Sequence, residues 1–275
     1  MNQMARNHPK RRNAHGPAGP GDAQRPRQDG PRERSHGGSG EGWLWGTHAV
    51  SAALANPSRT IHMLLATENA AARLGPARVT PDIILGKDLD NRLPPGAVHQ
   101  GLAIKVAPLN PASLEDLIDR GLTRICVLDQ VSDPHNLGAI YRSAAAFGFG
   151  GLVLQTRHAP PVTGVVAKSA AGAVETVAEA RVVNIARALE QLGDAGFHTV
   201  GLAGEGRRNL ADAVAGAAKV AIVLGAEGSG LRPAVAKACA ELARIEIAPE
   251  MESLNVSNAA AIAFYEASRQ RFPAG

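Results

Sequence analysis

A chain of 275 residues, 45% hydrophobic and 20% charged, has an ordinary globular composition and room for one large domain or two small ones. It holds no apolar run of about eighteen residues and no apolar signal core at its N-terminus, so neither a membrane span nor a secretory leader is expected, and the expected location is cytoplasmic. Aromatic residues make up only 3%, so any nucleic-acid contact would rest on charge and backbone more than on ring stacking.

The isoelectric point of 9.4 points to a polyanionic partner, but the basicity has one source. Residues 1–40 carry eight Lys and Arg against Asp22, Asp29 and Glu33, a balance of +5; the whole chain is +4, which leaves −1 for residues 41–275. This tail is rich in Gly, Pro, Arg and Ser and nearly free of large apolar residues, so disorder is expected. It serves either as a non-specific RNA tether through phosphate contacts or as a solubilising extension.

Residues 41–108 read as a small α/β module. Thr47-His48-Ala49-Val50 opens a helix with Val50, Ala53 and Leu54 on one face, and Ile61–Ala66 and Gly101–Val106 read as strands. Residues 109–121 form a linker with a short helix, capped by Ser113 with Asp116 three residues on. From 122 to 275 strand and helix alternate. Strands are expected at Ile125–Leu128, Leu152–Leu154, Thr176–Ala178, Thr199–Leu202, Val220–Leu224 and Ala243–Ile247. Helices are expected at Leu137–Phe147, Ile185–Leu192, Pro233–Leu242 and Asn258–Gln270. Short apolar strands with intervening helices imply an α/β fold with a mostly parallel sheet covered on both faces. Ligands of such sheets bind beyond the carboxyl ends of the strands, where Asp129, Gly204 and Gly225 fall.

Three stretches carry chemistry. In Asp133-Pro134-His135-Asn136, Asp133 or Asn136 can simply cap the next helix, but Arg142, on an otherwise apolar helix near strand ends, is placed to grip a phosphate. Gly225-Ala226-Glu227-Gly228-Ser229-Gly230 has the wrong glycine spacing for a dinucleotide loop and no following Walker lysine, which favours an adenine-bearing ligand other than NAD or ATP. Glu227 is either a turn residue or a site acid. In Ser253-Leu254-Asn255 an extended backbone turns Ser253 and Asn255 one way and Leu254 the other, unless Ser253 or Asn255 only caps the last helix. Cys126 and Cys239 read as buried free thiols, and none of the nine His forms a ligand set, so no metal is expected.

In combination, DPHNLGAIYRSAAAFG (133–148), IVLGAEGSG (222–230) and SLNVSNAAAIAFYEA (253–267) resemble, in order, the three motifs of SPOUT-class RNA methyltransferases of the TrmH/SpoU type. Gly46–Val50 and Gly96–Gly101 resemble the small L30e-like substrate-binding domain of the subgroup that 2′-O-methylates a guanosine in large-subunit ribosomal RNA. The resemblance covers Trp43 to the C-terminus. It implies a deep trefoil knot, an exception to the rule that chains do not thread loops. It also implies S-adenosyl-L-methionine held by backbone around Gly225, Ile245 and Leu254, and functional side chains at Asn136, Arg142, Glu227, Ser253 and Asn255. The family is a homodimer that completes its site across the interface, and the Ala259–Tyr265 face suits burial there or within the monomer. Arg142 would either hold the phosphate beside the reacting ribose or act as the base. Rival readings are a tRNA ribose methyltransferase of the same class and a non-catalytic RNA-binding assembly factor. The chain departs from the family pattern in its acidic Glu246–Glu252 segment and at Asn258.

Overall fold

Two sheets, each with apolar residues on both faces, account for most of the buried side chains. The computed structural model describes residues 42–157 and 159–269, so the expected tail lies outside the described residues. The first sheet is built from β1 (Trp43–Trp45), α1 (Thr47–Ala55), β2 (Ile61–Ala66), α2 (Glu68–Leu74), β3 (Asp82–Ile83), α3 (Gly86–Asp90) and β4 (Leu102–Val106). Its strand order is β1-β4-β2-β3, with β4 antiparallel to both neighbours and β3 parallel to β2. Alternation along the strands divides the side chains. Leu44, Leu64, Leu102 and Ile104 pack with Ala49, Val50 and Ala53 of α1, while Trp43, Trp45, Leu65 and Ala103 pack with Leu89 and Leu93.

The chain continues through α4 (Leu114–Asp119), β5 (Arg124–Leu128), α5 (Pro134–Phe147), β6 (Gly151–Gln155), α6 (Gly164–Ser169), β7 (Ala178–Val182), α7 (Ile185–Asp194), β8 (His198–Leu202), β9 (Arg208–Asn209), α8 (Leu210–Val214), β10 (Val220–Leu224), α9 (Pro233–Ala238), β11 (Glu241–Arg244) and α10 (Val256–Ser268). The seven strands lie in the order β7-β6-β5-β10-β8-β11-β9, and every pairing is parallel. Cys126, Leu128, Leu152, Leu154, Ile222 and Leu224 face α5, α6, α8 and α10, whereas Ile125, Val127, Val153, Ala221 and Val223 face α4, α7 and α9. Phe149 stacks on Phe264 at 4.1 Å between ring centres, fastening α10 beside α5. No described helix is long and apolar enough to cross a membrane.

The expected capping box at α4 is present: Asp116 N donates to Ser113 Oγ at 3.0 Å and Ser113 N to Asp116 Oδ2 at 2.9 Å. Three expected boundaries are corrected. The strand placed at Thr176–Ala178 begins only at Ala178, because a 3-10 turn over Ala173–Glu175 occupies the approach. The helix placed at Pro233–Leu242 stops at Ala238, because Glu241–Leu242 pair with Val200–Gly201 as the start of β11. That strand ends at Arg244 rather than Ile247, where Ala243 and Arg244 make the last ladder pairs and exposed Glu246 and Pro249 follow. Cys126 is fully buried and Cys239 partly so; burial pushes the Cys239 thiol up to about 12 and raises Cys126 as well.

Candidate functional site

The site lies where β5 and β10, neighbours in the middle of the sheet, end side by side. Asp129 N donates to Leu224 O at 2.8 Å, so the two strand ends leave the sheet together. The loop after β5 is closed by Asp133, whose Oδ1 accepts from His135 N at 2.6 Å and Asn136 N at 3.1 Å. Pro134 follows, with its φ preset for a helix start. This cap fixes where the first turn of α5 presents Asn136.

After β10 the chain doubles back at once. Ala226 N donates to Gly230 O at 3.1 Å and Gly230 N to Ala226 O at 2.9 Å. A Cβ on Gly225 would collide with the backbone of Gly230 and Leu231, so the turn tolerates no side chain there. Glu227 sits exposed at its tip. The base of the turn is held by Asp129, 1% exposed, which accepts from Arg232 Nε at 2.8 Å and Nη2 at 2.5 Å and, on Oδ2, from Arg232 N at 3.0 Å. Arg232 is absent from the sequence-derived site. The signal was present, because an acid that directly follows the apolar run Ile125–Leu128 must find a cation or a donor once buried.

The third segment meets the other two through Asn255. Its Oδ1 caps α10, accepting from Ser257 N at 2.9 Å and Asn258 N at 3.3 Å. Its Nδ2 donates to Glu227 Oε1 at 2.6 Å and to Asn136 Oδ1 at 3.0 Å, and Asn136 Nδ2 donates to Glu227 Oε1 at 3.1 Å. The sequence left a cap and a site role for Asn255 as alternatives; the structure gives it both a cap and a place in this cluster. Asn136, Glu227 and Asn255 therefore form a closed ring of hydrogen bonds at the surface.

The other five residues lie outside this ring. Arg142 is exposed on α5, about 9 Å along the helix axis from Asn136, with no side-chain hydrogen bond or ion pair among the described residues. Ser253 is exposed and likewise unpartnered among the described residues, and Leu254 is half-buried. Ile245, half-buried, leaves β11 against the apolar core on the α10 side, while Gly225 forms the foot of the turn. Glu246, Glu250 and Glu252 are all exposed. Among the described residues, no group of three or more His, Cys, Asp or Glu is arranged to hold a metal ion.

A parallel α/β domain with a polar cluster at the central strand ends, built from three separated segments, has the placement at which open α/β sheets bind their ligands. The chain belongs to the SpoU rRNA Methylase family, whose model matches residues 123–265. It is 37% identical over 241 residues to the 23S rRNA (guanosine-2′-O-)-methyltransferase RlmB of Vibrio vulnificus, covering 83% of this chain and 97% of that protein. It is also 37% identical over 243 residues to an uncharacterized tRNA/rRNA methyltransferase of Synechocystis, covering 83% of this chain but only 62% of that longer protein. Among solved structures, the SpoU methyltransferase AviRb of Streptomyces viridochromogenes, in complex with AdoMet, superposes with a TM-score of 0.69 at 25% identity, covering 83% of this chain and 89% of that one.

Proposed function

We propose that this chain transfers a methyl group from S-adenosylmethionine to the 2′-hydroxyl of a guanosine ribose in large-subunit ribosomal RNA. The observation that carries this reading is the ring of Asn136, Glu227 and Asn255, with Arg142 exposed further along α5 and without a side-chain partner among the described residues, in a family member similar to enzymes so named. The donor's sulfonium supplies an activated methyl. The glycine turn at 225–230 and the half-buried apolar Ile245 and Leu254 suit the wall of a site for its flat adenine ring.

A ribose hydroxyl is a poor acid, so the protein must weaken its hold on the proton. The guanidinium of Arg142 offers a fork of donors that matches a phosphate or an alkoxide oxygen. Placed on either, it stabilises the charge that develops as the hydroxyl proton passes to solvent water. Asn136 and Asn255 spend donors on Glu227 and hold that carboxylate in place. Ser253, exposed beside them, is assigned to the RNA.

The same proposal includes the finer architecture. Residues 122–275 form the methyltransferase domain with a deep trefoil knot. Residues 41–108 form an L30e-like RNA-binding domain, 109–121 the linker and 1–40 a basic tail, with the protein acting in the cytoplasm. A homodimer is favoured by Ile262 and Tyr265, which are 39% and 53% exposed on α10 while Ala260, Ala263 and Phe264 of the same helix are buried. The test is methyl transfer by the purified chain from labelled S-adenosylmethionine to ribosomal and transfer RNA, followed by nuclease digestion. The expected product is 2′-O-methylguanosine from large-subunit RNA; label in a base, or in transfer RNA alone, contradicts the reading.

A further inference from the structure

The two sheets meet along a seam with small residues at its edges and a buried ion pair between them. A Cβ on Gly164, at the start of α6, would overlap the Trp45 ring, and one on Gly172 (φ +92°) would press on Ala52 and the His48 carbonyl. Between these contacts Arg59 and Glu175, whose side chains are 4% and 2% exposed, pair in a fork. Arg59 Nη2 donates to Glu175 Oε1 at 2.6 Å and Nε to Oε2 at 3.1 Å, while Asn56 Nδ2 adds a donor to Oε2 at 2.8 Å. The remaining guanidinium nitrogen, Nη1, donates to Ala107 O at 2.8 Å, where the chain leaves β4 for the linker.

The seam runs on toward the proposed site. Glu179 O accepts from Ala112 N of the linker at 2.7 Å. Its carboxylate takes Arg181 Nε at 2.6 Å and the hydroxyl of buried Tyr141, the residue preceding Arg142 on α5. A buried ion pair is a poor source of net stability, because its desolvation offsets its attraction, but it tolerates only one geometry. A buried pair in which each guanidinium nitrogen and each carboxylate oxygen has a partner, bridging the two sheets, is therefore suited to fixing an offset.

We infer that Arg59 and Glu175 are positioning residues, which hold RNA bound to the 41–108 module at a set distance from Arg142 and so select which ribose is methylated. The inference rests on the function proposed above. It is tested with the full chain, using a long large-subunit RNA fragment and a short hairpin carrying only the target nucleotide. Glu175→Ala raises KM for the long fragment about tenfold and spreads methylation to neighbouring riboses, because small misplacements are costly in rate. KM for the hairpin and the affinity for S-adenosylmethionine stay within about twofold. Glu175→Gln, which keeps one acceptor oxygen for Asn56 and Arg59 Nε but sets an amide donor against Arg59 Nη2, falls in between. Should Glu175→Ala fail to fold, the apolar double variant Arg59→Met/Glu175→Leu restores packing and is expected to show the same split. Equal loss on both RNAs, or wild-type site choice in the double variant, overturns the inference. A wild-type chain that methylates neither RNA overturns the function itself and this inference with it.

Discussion

Arg142→Lys is expected to lower kcat about 10²- to 10³-fold, or ~2.7–4 kcal/mol of transition-state stabilisation, the scale of removing one preorganised donor. Lysine keeps the charge but replaces a planar fork with a point donor on a flexible stem, so it cannot span two oxygens in the same way. The side chain is exposed and makes no hydrogen bond or ion pair among the described residues, so the substitution removes no such bond there. Thermal unfolding and titration with S-adenosylmethionine should match wild type, and single-turnover methylation should carry the whole defect. A fully active lysine variant would remove Arg142 both as phosphate anchor and as base.

The second large effect is expected at Gly225→Ala. The added methyl meets backbone of Gly230 and Leu231, which cannot rotate away as a side-chain tip would. Overpacking of this kind costs about 1–3 kcal/mol, and here the strain is relieved by opening the 226–230 turn. Affinity for S-adenosylmethionine should fall by about tenfold or more, and the melting temperature should drop. Gly204→Ala is the control: it also follows a strand end, but a Cβ there meets nothing within 4 Å. Calorimetric titration of the two variants decides the matter, and wild-type affinity in Gly225→Ala would take Gly225 out of the cofactor wall.

What was legible in the sequence followed from local chemistry. The parallel sheet was readable because Ile125–Leu128 and Val220–Leu224 are continuous apolar runs, as strands buried on both faces must be. The start of α5 was readable from Asp133-Pro134, and α4 from Ser113 and Asp116. β11 was misplaced because Leu242–Ile247 alternates well enough to suit several registers, and only pairing with β8 and β9 selects one. β1 and β3, of three and two residues, are too short to show a period, so neither was found.

The site was legible as residue types but not as a ring. Asn136 is 91 residues from Glu227 and 119 from Asn255, and nothing local in those segments says that one carboxylate oxygen takes both amides. Family resemblance supplied the grouping. The Arg59–Glu175 pair, 116 residues apart, lay beyond both local pattern and motif, because each residue alone looks like an ordinary surface charge. The acidic Glu246–Glu252 stretch, where the chain departs from the family pattern, is exposed at Glu246, Glu250 and Glu252.

The central claim is that one ribose of large-subunit ribosomal RNA is methylated by the site at the ends of β5 and β10. Its most direct test maps 2′-O-methylation across ribosomal and transfer RNA in cells with and without the gene. Loss of a single guanosine mark in large-subunit ribosomal RNA, restored by the wild-type chain but not by Arg142→Lys, is the predicted result. Loss of a transfer RNA mark with the ribosomal pattern intact, or restoration by the lysine variant, would contradict it.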